Sequence, residues 1–326
     1  MKSRHLVFSQ FGAPRAVLRP EAFTLPPLKS GEVLLEILAS PINPADLNFI
    51  EGTYGVKPEL PATPGMECVA KVVESRSKLF SPGDSVMPIS RIGGWADHSV
   101  THGQNLIRLP SGIDPLQAAM LKVNPATAFL LLTHFESLQA GDWVALNAAN
   151  SGVGQSTIQL AKHLGIRTLC FLRNTALTQE LENLGATAVF EDSPAGYAEA
   201  LESLGKERAK LAFNAVGGDS ALRIMKLLET GGTHITYGAM AKKPLTVPNG
   251  LLIFGDLRLR GLWVTQWIRN SDPSTLTQAY AMLAELTRSG KLIQKVDSTF
   301  DLASFTEALT RLEQRDRTGK VVFHKK

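Results

Sequence analysis

The second half of this 326-residue chain alternates short apolar runs with segments of helical pattern. The runs predict strands at 143–147, 168–172, 186–190, 211–215 and 233–237, with helices at 154–164 and 177–184. Strands that alternate with helices favour a parallel sheet covered on both faces, because each connection has to cross over the sheet. We therefore expect an α/β fold with a doubly wound parallel sheet.

The residues before about 113 have a different character. Short apolar runs, such as those at 32–38 and 69–73, alternate with turn signals, such as the one at 81–84. This pattern predicts a β-rich unit. An Ala- and Leu-rich helical pattern covers 116–138. The tail predicts helices at 275–289 and 303–313 and a last strand at 320–323, and it could pack back on the first unit.

Composition excludes several classes of protein. With 44% hydrophobic and 20% charged residues, the chain is neither disordered, collagenous nor a coiled coil. The net charge of +4 is spread along the chain, so we expect no nucleic-acid partner. No run of 18 apolar residues and no signal-peptide pattern is present, so we expect no membrane partner and a cytoplasmic location. Two cysteines, Cys68 and Cys170, cannot form a disulfide framework or a four-thiolate zinc site.

The segment 147–155 joins a predicted strand to a predicted helix. Its small residues would let the backbone approach a pyrophosphate at the helix N-terminus. Ala149 and Ser151 occupy the places of the first two glycines of the dinucleotide fingerprint, and Gly154 occupies the third. An ordinary β–α turn remains the alternative.

Arg173 follows the next predicted strand, where an NAD-binding unit carries an acidic residue for the ribose hydroxyls. A guanidinium at this position can bind a 2′-phosphate through charge-assisted hydrogen bonds, with help from Asn174 and Thr175. Because the acidic residue is missing and Arg173 is present, the sequence favours NADPH over NADH. The alternative is that Arg173 is a solvated surface residue without a role in binding.

Several segments together resemble the medium-chain dehydrogenase/reductase superfamily over essentially the whole chain. The zinc members carry a cysteine and a histidine where this chain has Asn43 and Met66, so the resemblance is to the zinc-free branch and predicts no bound metal. Within that branch the chain resembles the trans-2-enoyl-CoA and acyl-carrier-protein (enoyl thioester) reductases, which are quinone oxidoreductase-like. The segments that carry this resemblance are 42–48, 52–55, 58–61, 123–128, 150–155, 237–242, 251–254 and 259–263.

The resemblance implies a Rossmann-type domain inserted in a β-rich GroES-like catalytic domain. The catalytic domain would comprise residues 1–118 plus 264–326, and the NADPH-binding domain residues 119–263. The implied catalytic residue is Tyr54. The residues implied to bind the cofactor are Asn124, Asn150, Ser151, Gly152, Val153, Arg173, Asn174, Thr175, Tyr237, Gly238, Ala239, Met240, Leu262, Trp263, Val264 and Lys320.

The implied reaction is NADPH-dependent reduction of the C2=C3 double bond of trans-2-enoyl thioesters, as in fatty acid synthesis. A phenol such as Tyr54 suits the proton side of this reaction, because it donates a hydrogen bond or a proton while neutral at pH 7. A packing role for its ring is the alternative. The substrate would be a thioester of CoA or of acyl-carrier protein, and the family implies a homodimer. A quinone or enone reductase and a catalytically idle NADPH-binding protein stay open.

Overall fold

The computed structural model describes residues 1–314 and 316–325 and divides the chain into two compact units. Unit 1 consists of Met1–Val123 with Ser271–Lys326, and unit 2 of Asn124–Asn270. The units are therefore arranged along the chain as predicted, with both boundaries slightly further along it.

The secondary-structure elements follow in chain order. Residues 1–123 form β1 (Lys2–Val7), α1 (Pro14–Val17), β2 (Arg19–Thr24), β3 (Glu32–Pro41), α2 (Pro44–Glu51), β4 (Val69–Ser75), β5 (Ser85–Pro88), β6 (His98–His102), β7 (Leu106–Arg108) and α3 (Pro115–Ala118). Residues 124–270 form α4 (Asn124–Thr133), β8 (Trp143–Leu146), α5 (Gly152–Leu164), β9 (Arg167–Leu172), α6 (Thr178–Leu184), β10 (Ala188–Glu191), α7 (Pro194–Leu204), β11 (Ala209–Asn214), α8 (Gly218–Met225), β12 (Leu228–Thr236), α9 (Asn249–Ile253), β13 (Arg258–Gly261) and α10 (Val264–Asn270). The tail forms α11 (Pro273–Arg288), β14 (Val296–Phe300), α12 (Phe305–Glu313) and β15 (Lys320–His324).

Unit 2 is a six-stranded parallel sheet with the strand order β10-β9-β8-β11-β12-β13. Counted from β8, this is the 3-2-1-4-5-6 order of a Rossmann sheet, with its reversal between β8 and β11. Apolar side chains from strands and helices, among them Phe171, Phe213 and Met225, form its core. The predicted fold class is confirmed.

Unit 1 is built on a mostly antiparallel sheet with the order β14-β15-β3-β4-β5-β7, and β6 pairs with β3 as well. Strand β15, from the tail, pairs with β3 and thereby joins the tail to the N-terminal residues. Trp95 and Phe323 pack edge to face in the same core, with ring centroids 5.2 Å apart. The tail therefore packs on the first unit, as predicted.

The helix predicted over 116–138 is wrong in its extent, because the chain forms two helices there, α3 and α4. The residues between them belong to unit 1: Met120 and Leu121 are buried, and Lys122 donates hydrogen bonds to the carbonyls of Met66 and Ser90. This explains why the first boundary lies at 123 rather than 118.

The second boundary differs from the prediction for a similar reason. Helix α10 packs on α4, so residues 264–270 belong to unit 2 rather than to the tail. Strand β13 and helices α7 and α8 were not predicted from the sequence. Across the described ranges 1–314 and 316–325, no helix is both long and apolar enough to span a bilayer.

Candidate active site

The turn between β8 and α5 lies where the strand order of unit 2 reverses. Ser151 is the N-cap of α5, and its hydroxyl accepts a hydrogen bond of 3.1 Å from the Gly154 N–H. A Cβ at Gly154 would lie 2.4 Å from the Ala149 carbonyl oxygen, so a side chain there would force the backbone to shift. The first N–H groups of a helix have no carbonyl partner within it and can bind a phosphate. This turn therefore fits a dinucleotide.

Two buried asparagines stiffen the same edge of the sheet. Asn147 donates hydrogen bonds of 2.9 Å to the side-chain oxygens of Asn214 and Ser220, and its own oxygen accepts one from the Ala215 N–H. Asn214 in turn accepts from the N–H groups of Val216 and Gly217. Because both amides are buried and bonded, the loops that follow β8 and β11 are held at the carboxyl ends of these strands.

Most of the predicted cofactor residues lie at this carboxyl edge. Residues 150–153 precede or begin α5, 173–175 follow β9, 237–240 follow β12 and 262–264 follow β13. The hydroxyl of Tyr237 is hydrogen-bonded to Ser151, and burial raises the pKa of Tyr237 above its usual range. The structure therefore brings two of the separately predicted segments into direct contact.

Arg173 is exposed immediately after β9. Its neighbour Asn174 accepts a hydrogen bond of 3.2 Å from the Ala176 N–H and so closes the turn. Asn124 is buried at the first position of α4, also in unit 2. Lys320 is the one predicted cofactor residue that belongs to unit 1, together with the predicted catalytic Tyr54.

Tyr54 is held on a rigid turn at the end of α2. Gly52 ends the helix in the left-handed region, with φ 75°, a conformation that favours glycine. The N–H groups of Thr53 and Tyr54 then donate to the Asn48 carbonyl at 2.9 and 3.1 Å. The half-buried ring of Tyr54 packs against the core of unit 1. The backbone of this residue is thus fixed by hydrogen bonds to the helix that precedes it.

A cluster of buried polar residues lies in the same unit. The Asn43 amide donates a hydrogen bond of 2.9 Å to Glu67, whose second oxygen accepts one of 2.9 Å from the Val123 N–H. The Lys320 ammonium donates to the side-chain oxygen of Asn43. Asp46 accepts from the N–H groups of Asn43 and Met66 at 2.8 and 2.7 Å. Lysine, amide and carboxylate thus form one continuous hydrogen-bonded chain.

Burial dominates the electrostatics of this cluster. It raises the pKa of Glu67 to about 7 and that of Asp46 to about 6, although hydrogen bonds and nearby cations pull both values down. It lowers the pKa of Lys122 to about 8 and lowers that of Lys320 as well. The sequence analysis did not single out Asp46, Glu67 or Lys122. The one sequence signal that could have identified Glu67 is its position as an acidic residue just before an apolar strand.

The residues present do not fit a catalytic zinc ion. Asn43 is engaged with Lys320 and Glu67, and the Met66 sulfur accepts a hydrogen bond of 2.8 Å from Arg91. An amide and a thioether replace the thiolate and imidazole that zinc prefers, and two cationic groups contact them. No cluster of three or more histidine, cysteine or acidic side chains suited to a metal occurs in residues 1–314 and 316–325.

Two family models match parts of the chain. Residues 29–111 match the alcohol dehydrogenase GroES-like domain, and residues 152–285 match the zinc-binding dehydrogenase model. The mitochondrial enoyl-[acyl-carrier-protein] reductase of Xenopus tropicalis is 40% identical over 305 residues, which is 90% of this chain and 87% of that protein. The chain belongs to the enoyl-[acyl-carrier-protein] reductase family. The predicted resemblance to zinc-free enoyl thioester reductases is confirmed.

Solved structures agree with membership of the enoyl-[acyl-carrier-protein] reductase family. The Etr1p/NADP/crotonyl-CoA complex is 27% identical, has a TM-score of 0.91, and each chain covers 100% of the other. A protein assigned as an NADPH:quinone reductase from Bacillus thuringiensis is 28% identical with a TM-score of 0.93, again with 100% coverage of both chains. The fold is therefore shared with reductases that are named for two different substrates.

Proposed function

We propose that this enoyl-[acyl-carrier-protein] reductase relative uses NADPH to reduce the C2=C3 double bond of trans-2-enoyl thioesters. The observation that carries the proposal is the phenol of Tyr54, held on a hydrogen-bonded turn in a unit where Asn43 and Met66 stand in place of zinc ligands. The Etr1p relative was solved with NADP and crotonyl-CoA, which supports the same cofactor and class of substrate here. The acyl group would be carried by CoA or by acyl-carrier protein.

In the proposed reaction, NADPH when bound supplies the hydride that is added at C3. The Tyr54 hydroxyl stabilises the negative charge that develops on the thioester oxygen, or donates the proton that C2 receives. The donated proton is replaced from solvent, so the residue returns to its neutral state. The product is the saturated thioester.

Unit 2 would hold the cofactor at the carboxyl edge of its sheet. The N-terminus of α5 binds the pyrophosphate, and Arg173, with Asn174 and Thr175, binds the 2′-phosphate that distinguishes NADPH from NADH. The segments at 237–240 and 262–264 and residues Asn124 and Lys320 complete the proposed binding set. The predicted cofactor, NADPH, is supported by the NADP-bound relative.

The proposed partner in assembly is a second copy of this chain. Strand β13 is an edge strand of unit 2, all four of its residues are exposed, and the preceding Ile253 and Phe254 are 70% and 84% exposed. An unpaired edge flanked by apolar side chains favours pairing with an identical edge. Light scattering should report a dimer for the unmodified chain and a monomer for Phe254→Asp, whereas a monomeric unmodified chain would overturn the proposal.

The assay that tests the function compares crotonyl-CoA with a benzoquinone, each with NADPH and with NADH. We expect turnover of crotonyl-CoA with NADPH to be fastest by kcat/KM. Faster turnover of the benzoquinone would favour the quinone reductase alternative, which the similarity to the Bacillus thuringiensis protein supports. Binding of NADPH with no turnover of either substrate would indicate an idle NADPH-binding protein.

Two further properties belong to this proposal. The reaction needs no metal, so exhaustive chelation should leave kcat unchanged, and zinc that tracks with activity would contradict this. We place the enzyme in the cytoplasm and assign it no nucleic-acid or membrane partner. Imaging of the tagged full-length protein in its own cell would test the compartment, since the Xenopus tropicalis relative is named as mitochondrial.

A further inference from the structure

Arg91 lies beside the proposed catalytic tyrosine. It belongs to the loop between β5 and β6, and its Cζ atom is 5.6 Å from the centroid of the Tyr54 ring. The same guanidinium stacks on Phe49, with Cζ 3.9 Å from that ring centroid, and donates to the Met66 sulfur at 2.8 Å. Phe49 and Met66 are both buried, so two anchored side chains fix the position of the charge.

Tyr54 follows the C-terminal end of a helix, so a nearby positive charge can offset negative charge that develops there. Its N–H is bonded to the Asn48 carbonyl, at the C-terminal end of α2, where the carbonyl groups of a helix carry partial negative charge. A proton that leaves the hydroxyl, or an oxyanion that forms beside it, adds negative charge in this region. The guanidinium of Arg91 lies against the Tyr54 ring and can offset that charge.

The charge of Arg91 also affects the pKa values of residues in the buried cluster of unit 1. Its charge helps to lower the pKa of Asp46 and also lowers the pKa of Lys122. Both groups lie within the same polar region as Asn43 and Glu67. The charge of Arg91 therefore interacts with buried groups of unit 1 and is not fully screened by solvent.

We propose that Arg91 is a positioning residue for the proton side of the reaction, which holds the Tyr54 ring and stabilises the negative charge that develops at its hydroxyl. This inference rests on the proposed function and deepens it. The effect of Arg91 then passes through the Tyr54 hydroxyl. A role in contacting the substrate directly would instead be independent of that hydroxyl.

The test is a double-mutant cycle with crotonyl-CoA and NADPH. The variants are Arg91→Met, Arg91→Gln, Arg91→Lys, Tyr54→Phe and the Arg91→Met/Tyr54→Phe pair. The Arg91 Cζ atom is 5.6 Å from the Tyr54 ring centroid. Taking about that distance as the scale of the interaction, at an effective dielectric near 20, the loss of a unit charge corresponds to about 10- to 100-fold in rate. We expect Arg91→Met and Arg91→Gln to lower kcat by that factor with little change in KM, and Arg91→Lys to retain most of kcat.

The Arg91→Met/Tyr54→Phe double variant shows whether Arg91 acts through the Tyr54 hydroxyl. In the Tyr54→Phe background, Arg91→Met should lower kcat by less than about twofold, because the hydroxyl that it serves is already absent. The matched control is Arg108→Met: Arg108 also stacks on a phenylalanine of unit 1, with Cζ 4.9 Å from the Phe80 centroid, and its replacement should leave kcat unchanged. Thermal unfolding of each variant shows whether it is folded, and Arg91→Gln replaces Arg91→Met if the latter is not.

Three outcomes would overturn the inference. An unchanged kcat in Arg91→Met and Arg91→Gln removes Arg91 from the mechanism. An equal loss of kcat with and without the Tyr54 hydroxyl means that Arg91 acts on the substrate or on the fold. If the unmodified chain does not reduce crotonyl-CoA, the proposed function fails and the inference fails with it, which is distinct from an active chain that is insensitive to Arg91.

Discussion

The two units differ in the polar groups at the centre of their buried networks. In unit 2 the centre of the network at the sheet edge is made of the neutral amides of Asn147 and Asn214, and Ser220 links them to the Asp192–Arg223 ion pair. In unit 1 the buried cluster contains ionisable groups, including Glu67 and Lys320. Neutral amides keep their hydrogen bonds at any ordinary pH, whereas ionisable groups respond to pH and to each other. The amide network therefore suits cofactor binding over a wide pH range, and the cluster of ionisable groups suits proton chemistry.

The largest effect is expected at Tyr54. Tyr54→Phe removes only the hydroxyl, so the fold and the NADPH affinity should be preserved while kcat falls by about 10²–10⁴, the range for a positioned proton donor. Steady-state kinetics on crotonyl-CoA with fluorescence titration of NADPH would measure both quantities. If the hydroxyl only orients the thioester, the loss should be smaller and shared with KM. An unaltered kcat would place the proton chemistry elsewhere and would break the contrast between the units.

The charged cluster is tested by Lys320→Met. Removing the ammonium breaks its hydrogen bond to Asn43 and takes away the stronger of the two cationic attractions on buried Glu67, those of Lys320 and Lys122. This should lower the free energy of unfolding by about 3 kcal/mol, the low end for losing the partner of a buried charge, because Lys320 is only half-buried. Since the pKa of Glu67 lies near 7, protonation should reduce the loss at pH 6 relative to pH 8. Denaturant unfolding at both pH values measures this. The Lys320→Met/Glu67→Gln pair is the control and should show a weaker pH dependence; a loss that is the same at both pH values would contradict the coupling.

Arg173 tests the cofactor edge of unit 2. Arg173→Ala should raise the Kd for NADPH by about 10- to 150-fold, the equivalent of a lost charge-assisted contact of about 1.5–3 kcal/mol, and leave the Kd for NADH nearly unchanged. Titration of each cofactor would measure the selectivity. Arg208, half-buried in the same unit but remote in sequence from the predicted cofactor segments, provides the control as Arg208→Ala. Equal affinity of the unmodified protein for both cofactors would refute the assignment.

The smallest effect concerns a buried ionisable group of unit 2 that lies outside the amide network. His234 is buried on β12, neither ring nitrogen has a hydrogen-bond partner among the described residues, and burial lowers its pKa to about 4. The unfolded chain binds this proton near pH 6.5, so the contribution to stability falls as the pH drops from about 6.5 to 4. His234→Val should remove that decline and stabilise the protein by about 1 kcal/mol at pH 7. Melting temperatures across pH 4–8 measure both effects, and a steeper acid decline in the variant would show that His234 is paired.

Burial of Glu67 gives unit 1 the opposite dependence on pH. Its pKa in the folded chain, about 7, is raised above the ordinary value, so the folded state binds the proton more tightly. The contribution to stability is therefore present at low pH and is lost as the pH rises from about 4.5 through 7. The two units thus respond to acid with opposite signs at these two residues.

The turn between β8 and α5 and the position of Arg173 could be predicted because their signals are local. A strand, a turn of small residues and a helix lie within some twenty residues, and Gly154 and Arg173 occupy fixed positions relative to them. Where prediction failed, longer-range contacts are present: two helices replace the continuous helix expected at 116–138, and between them the Lys122 side chain is bonded to the carbonyls of Met66 and Ser90 and the Val123 N–H donates to Glu67. Helical periodicity carries no information about such contacts.

The sequence by itself determined the parallel sheet, the turn of small residues before α5, the absence of zinc ligands at positions 43 and 66, and the phenol at residue 54. Only the tertiary structure brought Lys320 to Asn43, 277 positions apart, and set Arg91 beside Tyr54. The physical reason is that strand periodicity and helix capping act over a few residues. A hydrogen-bonded network such as Lys320–Asn43–Glu67 depends on which strands become neighbours, and here β15 pairs with β3.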